Sequence, residues 1–219
     1  MSIQNNIQTL KKSLPDHVTL VAVSKTKPIA DLRKAYDAGQ LIFGENKIQE
    51  MTQKWEEMPK EIQWHMIGHV QRNKVKYMAE YVDLIHGVDS LKLLKEIDKQ
   101  AKKHDRVINC LLQIHIAEED TKFGLDEKEV FALIHSEEFH QLKNIKITGL
   151  MGMATFTDDK TQVRREFKNL KSLFDQTKGT LKDISVLSMG MSGDYKIAIE
   201  EGSTMVRIGS SIFGARNFD

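Results

Sequence analysis

Short apolar runs alternate with amphipathic segments along this chain. The apolar runs cover 19–24, 41–44, 63–67, 83–86, 107–116, 145–151, 185–188 and 205–208. Each has the length and composition of a buried strand. Between them, 29–38 ends at Gly39, 91–103 is richly charged, and 127–134 follows Asp126. Segment 162–177 ends before Gly179, and 195–201 runs between Asp194 and Gly202. An Asp at the start accepts from orphan N–H groups, and a Gly just past the end tolerates positive φ, so these segments read as helices.

Eight strands alternating with helices predict parallel pairing with the helices packed outside. The 219 residues allow about 27 per βα unit, which suits a closed (β/α)8 barrel of the TIM type. A doubly wound open sheet is the weaker alternative, because no Gly-x-Gly-x-x-Gly follows the first strand. Only three prolines occur and no linker-like stretch interrupts the pattern, so residues 1–219 are expected to form a single domain.

Composition narrows the function classes. Lys+Arg 32 against Asp+Glu 31 leaves a net charge of +1, which argues against nucleic-acid or membrane-surface partners. The one cysteine, Cys110, lies in an apolar run and reads as a buried thiol. The N-terminus shows no signal-peptide pattern, and no apolar run is long enough to span a bilayer. A cytoplasmic protein is expected.

A barrel places its chemistry where strands end and βα loops begin. Lys25 stands at the end of the first apolar run, where an amine can be partly desolvated and can form a Schiff base with a carbonyl. The second strand runs into Gly44-Glu45-Asn46, and the third carries His65. Ser192-Gly193-Asp194 after the seventh strand and Gly209-Ser210-Ser211 after the eighth are small-residue loops suited to a phosphate. Arg207 stands inside the eighth strand, and an inward arginine there needs a partner. The other histidines, His17, His86, His104, His115, His135 and His140, lack the Cys or carboxylate spacing of a metal site. The run Glu118-Glu119-Asp120 reads as a solvated loop. Strand parity does not separate Lys25 from Lys27, although Lys27 precedes Pro28 and falls farther into the loop.

Seven ordered motifs carry a resemblance. They are Val23-Ser24-Lys25-Thr26-Lys27-Pro28, Phe43-Gly44-Glu45-Asn46, Trp64-His65-Met66-Ile67-Gly68, Gln71-x-Asn73-Lys74, Thr121-Lys122-Phe123-Gly124, Leu187-Ser188-Met189-Gly190-Met191-Ser192-x-Asp194 and Val206-Arg207-Ile208-Gly209-Ser210-x-Ile212-Phe213-Gly214. In this order they resemble the pyridoxal phosphate homeostasis protein family (YggS/PROSC-like), itself similar to the barrel domain of alanine racemase. The resemblance implies pyridoxal 5'-phosphate (PLP) as cofactor and PLP fold type III. It implies Lys25 as the internal-aldimine lysine and Arg207 facing the pyridine nitrogen. Phosphate would rest on Ser192, Gly193, Gly209 and Ser210, while Asn46, His65 and Met189 would line or pack near the ring pocket. The chain departs from the family at Gly68-His69-Val70-Gln71, where the family usually has Gly-Pro-Leu-Gln.

The same resemblance separates two functions. In the similar racemases a tyrosine from an additional β-domain and the facing subunit supplies the second acid/base group. Only five residues follow Gly214 here, so that C-terminal domain is expected to be missing. Tyr36, Tyr77, Tyr81 and Tyr195 all fall in helical segments. The expectation is a non-catalytic, monomeric PLP-binding protein of vitamin B6 and amino-acid homeostasis. Amino acids bound as external aldimines and apo PLP-enzymes are the partners it allows. The alternative is a PLP-dependent amino-acid racemase working with one base. A third, weaker reading is a phosphate-sugar barrel enzyme using Lys25 on an aldol substrate.

Overall fold

The computed structural model describes residues 2–118 and 123–214. Eight parallel strands close into one barrel in chain order. They are β1 (Thr19–Val23), β2 (Ile42–Glu45), β3 (Gln63–Met66), β4 (Val82–Val88), β5 (Ile108–Ile114), β6 (Ile145–Gly152), β7 (Val186–Ser188) and β8 (Met205–Ile208). β1 closes on β8 with Val21 opposite Arg207. The open-sheet alternative is thereby excluded, and the (β/α)8 barrel expected from the alternation is the observed fold.

The helices are α1 (Ile3–Ser13), α2 (Ile29–Asp37), α3 (Ile48–Glu57), α4 (Leu91–Lys103), α5 (Glu127–Ile134), α6 (Glu137–His140), α7 (Lys160–Thr177), α8 (Tyr195–Glu200) and α9 (Ser210–Phe213). A 3-10 helix, Arg72–Tyr77, replaces an α-helix between β3 and β4. α4 buries Leu93, Leu94, Ile97 and Ala101 along one stripe and starts at Ser90, whose hydroxyl accepts from Leu93 N. α5 starts with a full capping box between Asp126 and Glu129. Gly39 and Gly202, the glycines following α2 and α8, take positive φ as a helix stop requires.

Side chains alternate between two layers of packing. Leu20, Ala22, Phe43, Trp64, Ile85, Leu112, Leu187 and Val206 face the helices in one large apolar cluster. Val21, Leu84, Leu111, Met151 and Met205 form a smaller cluster inside the barrel. The next inward positions toward the C-terminal mouth are polar: His65, His86, Gln113, Ser188 and Arg207, all buried. Gly44 keeps this interior from overfilling, since a Cβ there would lie 2.9 Å from Val21 Cγ1.

The seam between β7 and β8 has one register pair, Ser188 opposite Met205. The buried Ser203 reinforces it, its hydroxyl lying 2.7 Å from Met189 O and within reach of Leu187 O and Met205 O. This short seam matters because both of its strands end in the small-residue loops.

Candidate functional site

β1 ends at Val23, one residue earlier than the apolar run suggests. Ser24 N still donates to Gly44 O, but Lys27 N turns back onto Ser24 O at 3.0 Å. Lys25 therefore occupies a tight turn at the barrel mouth, half-buried, rather than the strand itself. Thr26, next in the turn, takes φ 62, a conformation that costs a β-branched residue about 1–2 kcal/mol. Its N–H donates to Glu50 Oε1 at 2.6 Å.

Below this turn lies a buried polar cluster that the sequence does not advertise. Lys54 of α3 donates to Ser24 O at 2.8 Å, to Glu45 Oε1 at 2.7 Å and to Glu50 Oε1 at 2.7 Å. Ser24 Oγ donates to Glu45 Oε1 at 2.6 Å. Burial pushes the Glu45 carboxyl up to about 7 against the pull of Lys54 and Ser24. Its second oxygen, Oε2, is buried with no hydrogen-bond partner among the described residues.

The inward polar layer forms a second network. Arg207 Nη1 donates to Ser188 O at 2.9 Å and to Ser188 Oγ at 2.6 Å, and Nη2 donates to Gly152 O at 3.2 Å. Ser188 Oγ and His86 Nδ1 are 3.0 Å apart, as are His86 Nε2 and His65 Nδ1. Arginine only donates, so the Ser188 oxygen accepts from it. The arrangement that gives each buried proton an acceptor then runs one way. Ser188 donates to His86 Nδ1, and His86 Nε2–H donates to His65 Nδ1. Both imidazoles are neutral: burial pulls His65 down to about 3, and His86 well below its usual value with help from His65 and Arg207. Burial lowers Arg207 to about 10, which leaves it charged at neutral pH.

The loops after β7 and β8 meet at one point, where Gly209 N donates to Ser192 Oγ at 3.3 Å. Gly193 is exposed, with nothing within 4 Å of a Cβ placed on it. A Cβ on Gly209 would press on Val23 at 3.2–3.3 Å, so this loop sits directly against the end of β1. Ser210 is exposed at the start of α9. Ser192, Gly193 and Ser211 also line a cavity of about 610 Å³ with Lys160, Arg164 and Lys196.

The structure thus brings Lys25, His65, Arg207, Ser192, Gly193, Gly209 and Ser210 to one end of the barrel. Asn46 follows β2 there, half-buried, with its backbone held against Gly68. Met189 is different. Its parity is opposite to that of Ser188, and it is wholly buried in the helix-facing cluster, so its side chain does not reach the interior. Lys27 Nζ donates to Phe213 O at 3.2 Å and Gly214 O at 3.4 Å, toward the end of α9. His69 stacks on Phe123 at 4.3 Å and lies 3.6 Å from Asp89 Oδ2, forming part of the rim. Thr121 and Lys122 of the fifth motif, with Glu119 and Asp120 of the acidic run, fall outside the described residues.

Comparison with known proteins gives a consistent set of likenesses. The family model described as "Alanine racemase, N-terminal domain" matches residues 1–217. A Pasteurella multocida protein named "Pyridoxal phosphate homeostasis protein" is 40% identical over 222 residues, covering 99% of this chain and 94% of that one. Among solved structures, PipY of Synechococcus elongatus without PLP superposes with a TM-score of 0.92 at 33% identity, over 97% of this chain and 100% of PipY. The PLP-bound form of PipY gives 0.89 over the same shares.

Proposed function

This chain belongs to the alanine racemase N-terminal-domain family and, within it, to the pyridoxal phosphate homeostasis proteins; from that premise we propose that it holds PLP as a Schiff base on Lys25, without catalysing a reaction of its own. The cofactor supplies an aldehyde carbon. Lys25 would hold the cofactor through Nζ as a carbon–nitrogen double bond, the aldehyde oxygen leaving as water.

The observation that carries this reading is Arg207. Its guanidinium is buried, and three of its five N–H groups are engaged by backbone and hydroxyl oxygens. The Asp194 carboxylate favours its charged form against burial. The remaining N–H groups suit an acceptor such as an unprotonated pyridine nitrogen, on the strand adjacent to the one that leads to Lys25. Ser192, Gly193, Gly209 and Ser210 would take the phosphate at the joined loops, where small residues let backbone N–H groups approach. His65 and Asn46 would flank the ring.

Arg207 also supports the non-catalytic part. A cation against the ring nitrogen opposes its protonation, which weakens the ring as an electron sink. Tyr36 is bonded to Glu61, Tyr81 is stacked on Trp55, and Tyr77 is exposed on the 3-10 helix. Tyr195 starts α8 and lines the cavity beside Ser192 and Gly193. The role that follows is to keep a reactive aldehyde bound and to release it to apo PLP-enzymes, in the cytoplasm and as a single-domain monomer. No helix among the described residues is long and apolar enough to cross a membrane. The alternative, a one-base amino-acid racemase, draws on the family's racemase barrel.

A visible spectrum of the purified protein, taken before and after adding amino acids, tests the proposal. A PLP band that shifts without racemisation supports it. Racemisation of alanine or serine that disappears in Lys25→Ala supports the alternative.

A further inference from the structure

The turn carrying Lys25 is held from below by a cluster of charges on α3. We propose that Lys54 and Glu50 are positioning residues for Lys25: together they clamp the Ser24–Lys27 turn and thereby set how readily the Lys25 amine forms its Schiff base. The inference rests on the reading of Lys25 given above.

Three observations converge. First, Lys54 is 4% exposed, and a buried ammonium persists only where it is fully paired. Its three acceptors are Ser24 O, Glu45 Oε1 and Glu50 Oε1, all at 2.7–2.8 Å. One of these is the backbone of the residue before Lys25.

Second, Glu50 Oε1 accepts the N–H of Thr26, the residue after Lys25. Lys25 is therefore bracketed by two bonds that meet at the Lys54–Glu50 pair. Third, Thr26 sits at φ 62, which a threonine avoids unless its surroundings enforce it. The Glu50 acceptor supplies such a constraint, so the backbone is committed before any aldehyde arrives.

The cluster is also placed to act on Lys25 more than on the barrel as a whole. Glu50 is 23% exposed on its side chain, and Thr26 is exposed. Losing the Glu50 contact frees the turn while leaving the β1–β2 and β1–β8 ladders intact.

The test measures the rate at which added PLP forms the Schiff base, by stopped-flow absorbance. Parent, Glu50→Ala, Glu50→Gln, Lys54→Met and Lys95→Met are compared below their melting temperatures. Borohydride reduction and peptide mass mapping then report how the label divides between Lys25 and Lys27. Lys95 pairs with Glu138 on the exposed outside, so Lys95→Met serves as the control. Glu50→Ala is expected to slow formation by about tenfold or more and to lower the share on Lys25. Glu50→Gln keeps an oxygen for Thr26 N and is expected to recover most of the parent rate. A purely structural role would lower the melting temperature and leave the rate of the folded protein alone.

Lys54→Met is expected to match Glu50→Ala, and if it does not fold, the Glu50 pair decides the question. Parent-like rates in Glu50→Ala, or equal slowing in Glu50→Ala and Glu50→Gln, overturn the proposal. A parent that forms no Schiff base at all defeats the reading of Lys25 itself, and this inference with it.

Discussion

Arg207 grips Ser188 twice, through Nη1 to the carbonyl oxygen at 2.9 Å and to the hydroxyl at 2.6 Å. The two residues lie on neighbouring strands at the thinnest seam of the barrel, and the hydroxyl passes the polarity on to His86 and His65. The arginine is thus oriented by the protein alone. The contacts that aim its guanidinium come from the chain itself.

Ser188→Ala is expected to cost about 1–3 kcal/mol of stability, because it removes one acceptor of Arg207 and strands His86 Nδ1 in a buried site. Chemical denaturation of parent and variant checks this. A variant as stable as the parent would mean that the network does not carry the load assigned to it.

The two buried histidines predict a sign for the pH dependence. His65 is held at about 3 in the folded barrel against an ordinary 6.5. The unfolded chain takes up that proton as pH falls below 6.5 while the folded barrel does not, so stability is lost from about 6.5 downward. The slope is roughly 1.4 kcal/mol per pH unit for one histidine. Glu45 runs the other way: raised to about 7 from 4.5, it favours the fold below 4.5 and loses that contribution as pH rises through 7. Comparing parent with His65→Asn cancels the Glu45 part. The stability difference between the two should shift in favour of the variant as pH drops below 6.5, and a pH-independent difference would contradict the assignment.

Gly44 and Val21 predict a coupled pair. A Cβ on Gly44 meets Val21 Cγ1 at 2.9 Å and the Ile67 side chain at 3.1 and 3.3 Å. Gly44→Ala is expected to destabilise by about 1–3 kcal/mol through overpacking. In the Val21→Ala background the same change should cost clearly less. Additive effects in a double-mutant cycle would place the strain elsewhere.

Much of this was legible in the alternation of apolar runs and capped helices. Met205–Ile208, Leu91–Lys103 and Glu127–Ile134 stand where the pattern puts them, because strong local signals mark their ends. α3 left a weaker signal, since one of its buried positions is Lys54, which reads as solvent-facing in any apolar periodicity. α1 buries only Ile7 and Leu10, and α9 is a single turn.

The site shows the same division. Lys25, Arg207 and the two small-residue loops follow from strand ends and residue type. His86 reads in the sequence as an ordinary histidine, and only its parity with Leu84 on β4 hints that it points inward. Met189 shows the opposite case. It neighbours Ser188 and Ser192 in the chain, yet it is buried in the helix-facing cluster. The cluster under Lys25 joins residues 24, 26, 45, 50 and 54, and nothing in one dimension brings these together.

The most direct measurement is borohydride reduction of the PLP-loaded protein, followed by mass mapping of the reduced pyridoxyl group. The label is expected on Lys25 in the parent, with no trapped label in Lys25→Ala and the Lys25 label retained in Lys27→Ala. Label on Lys27 in the parent, or label surviving in Lys25→Ala and lost in Lys27→Ala, would contradict it.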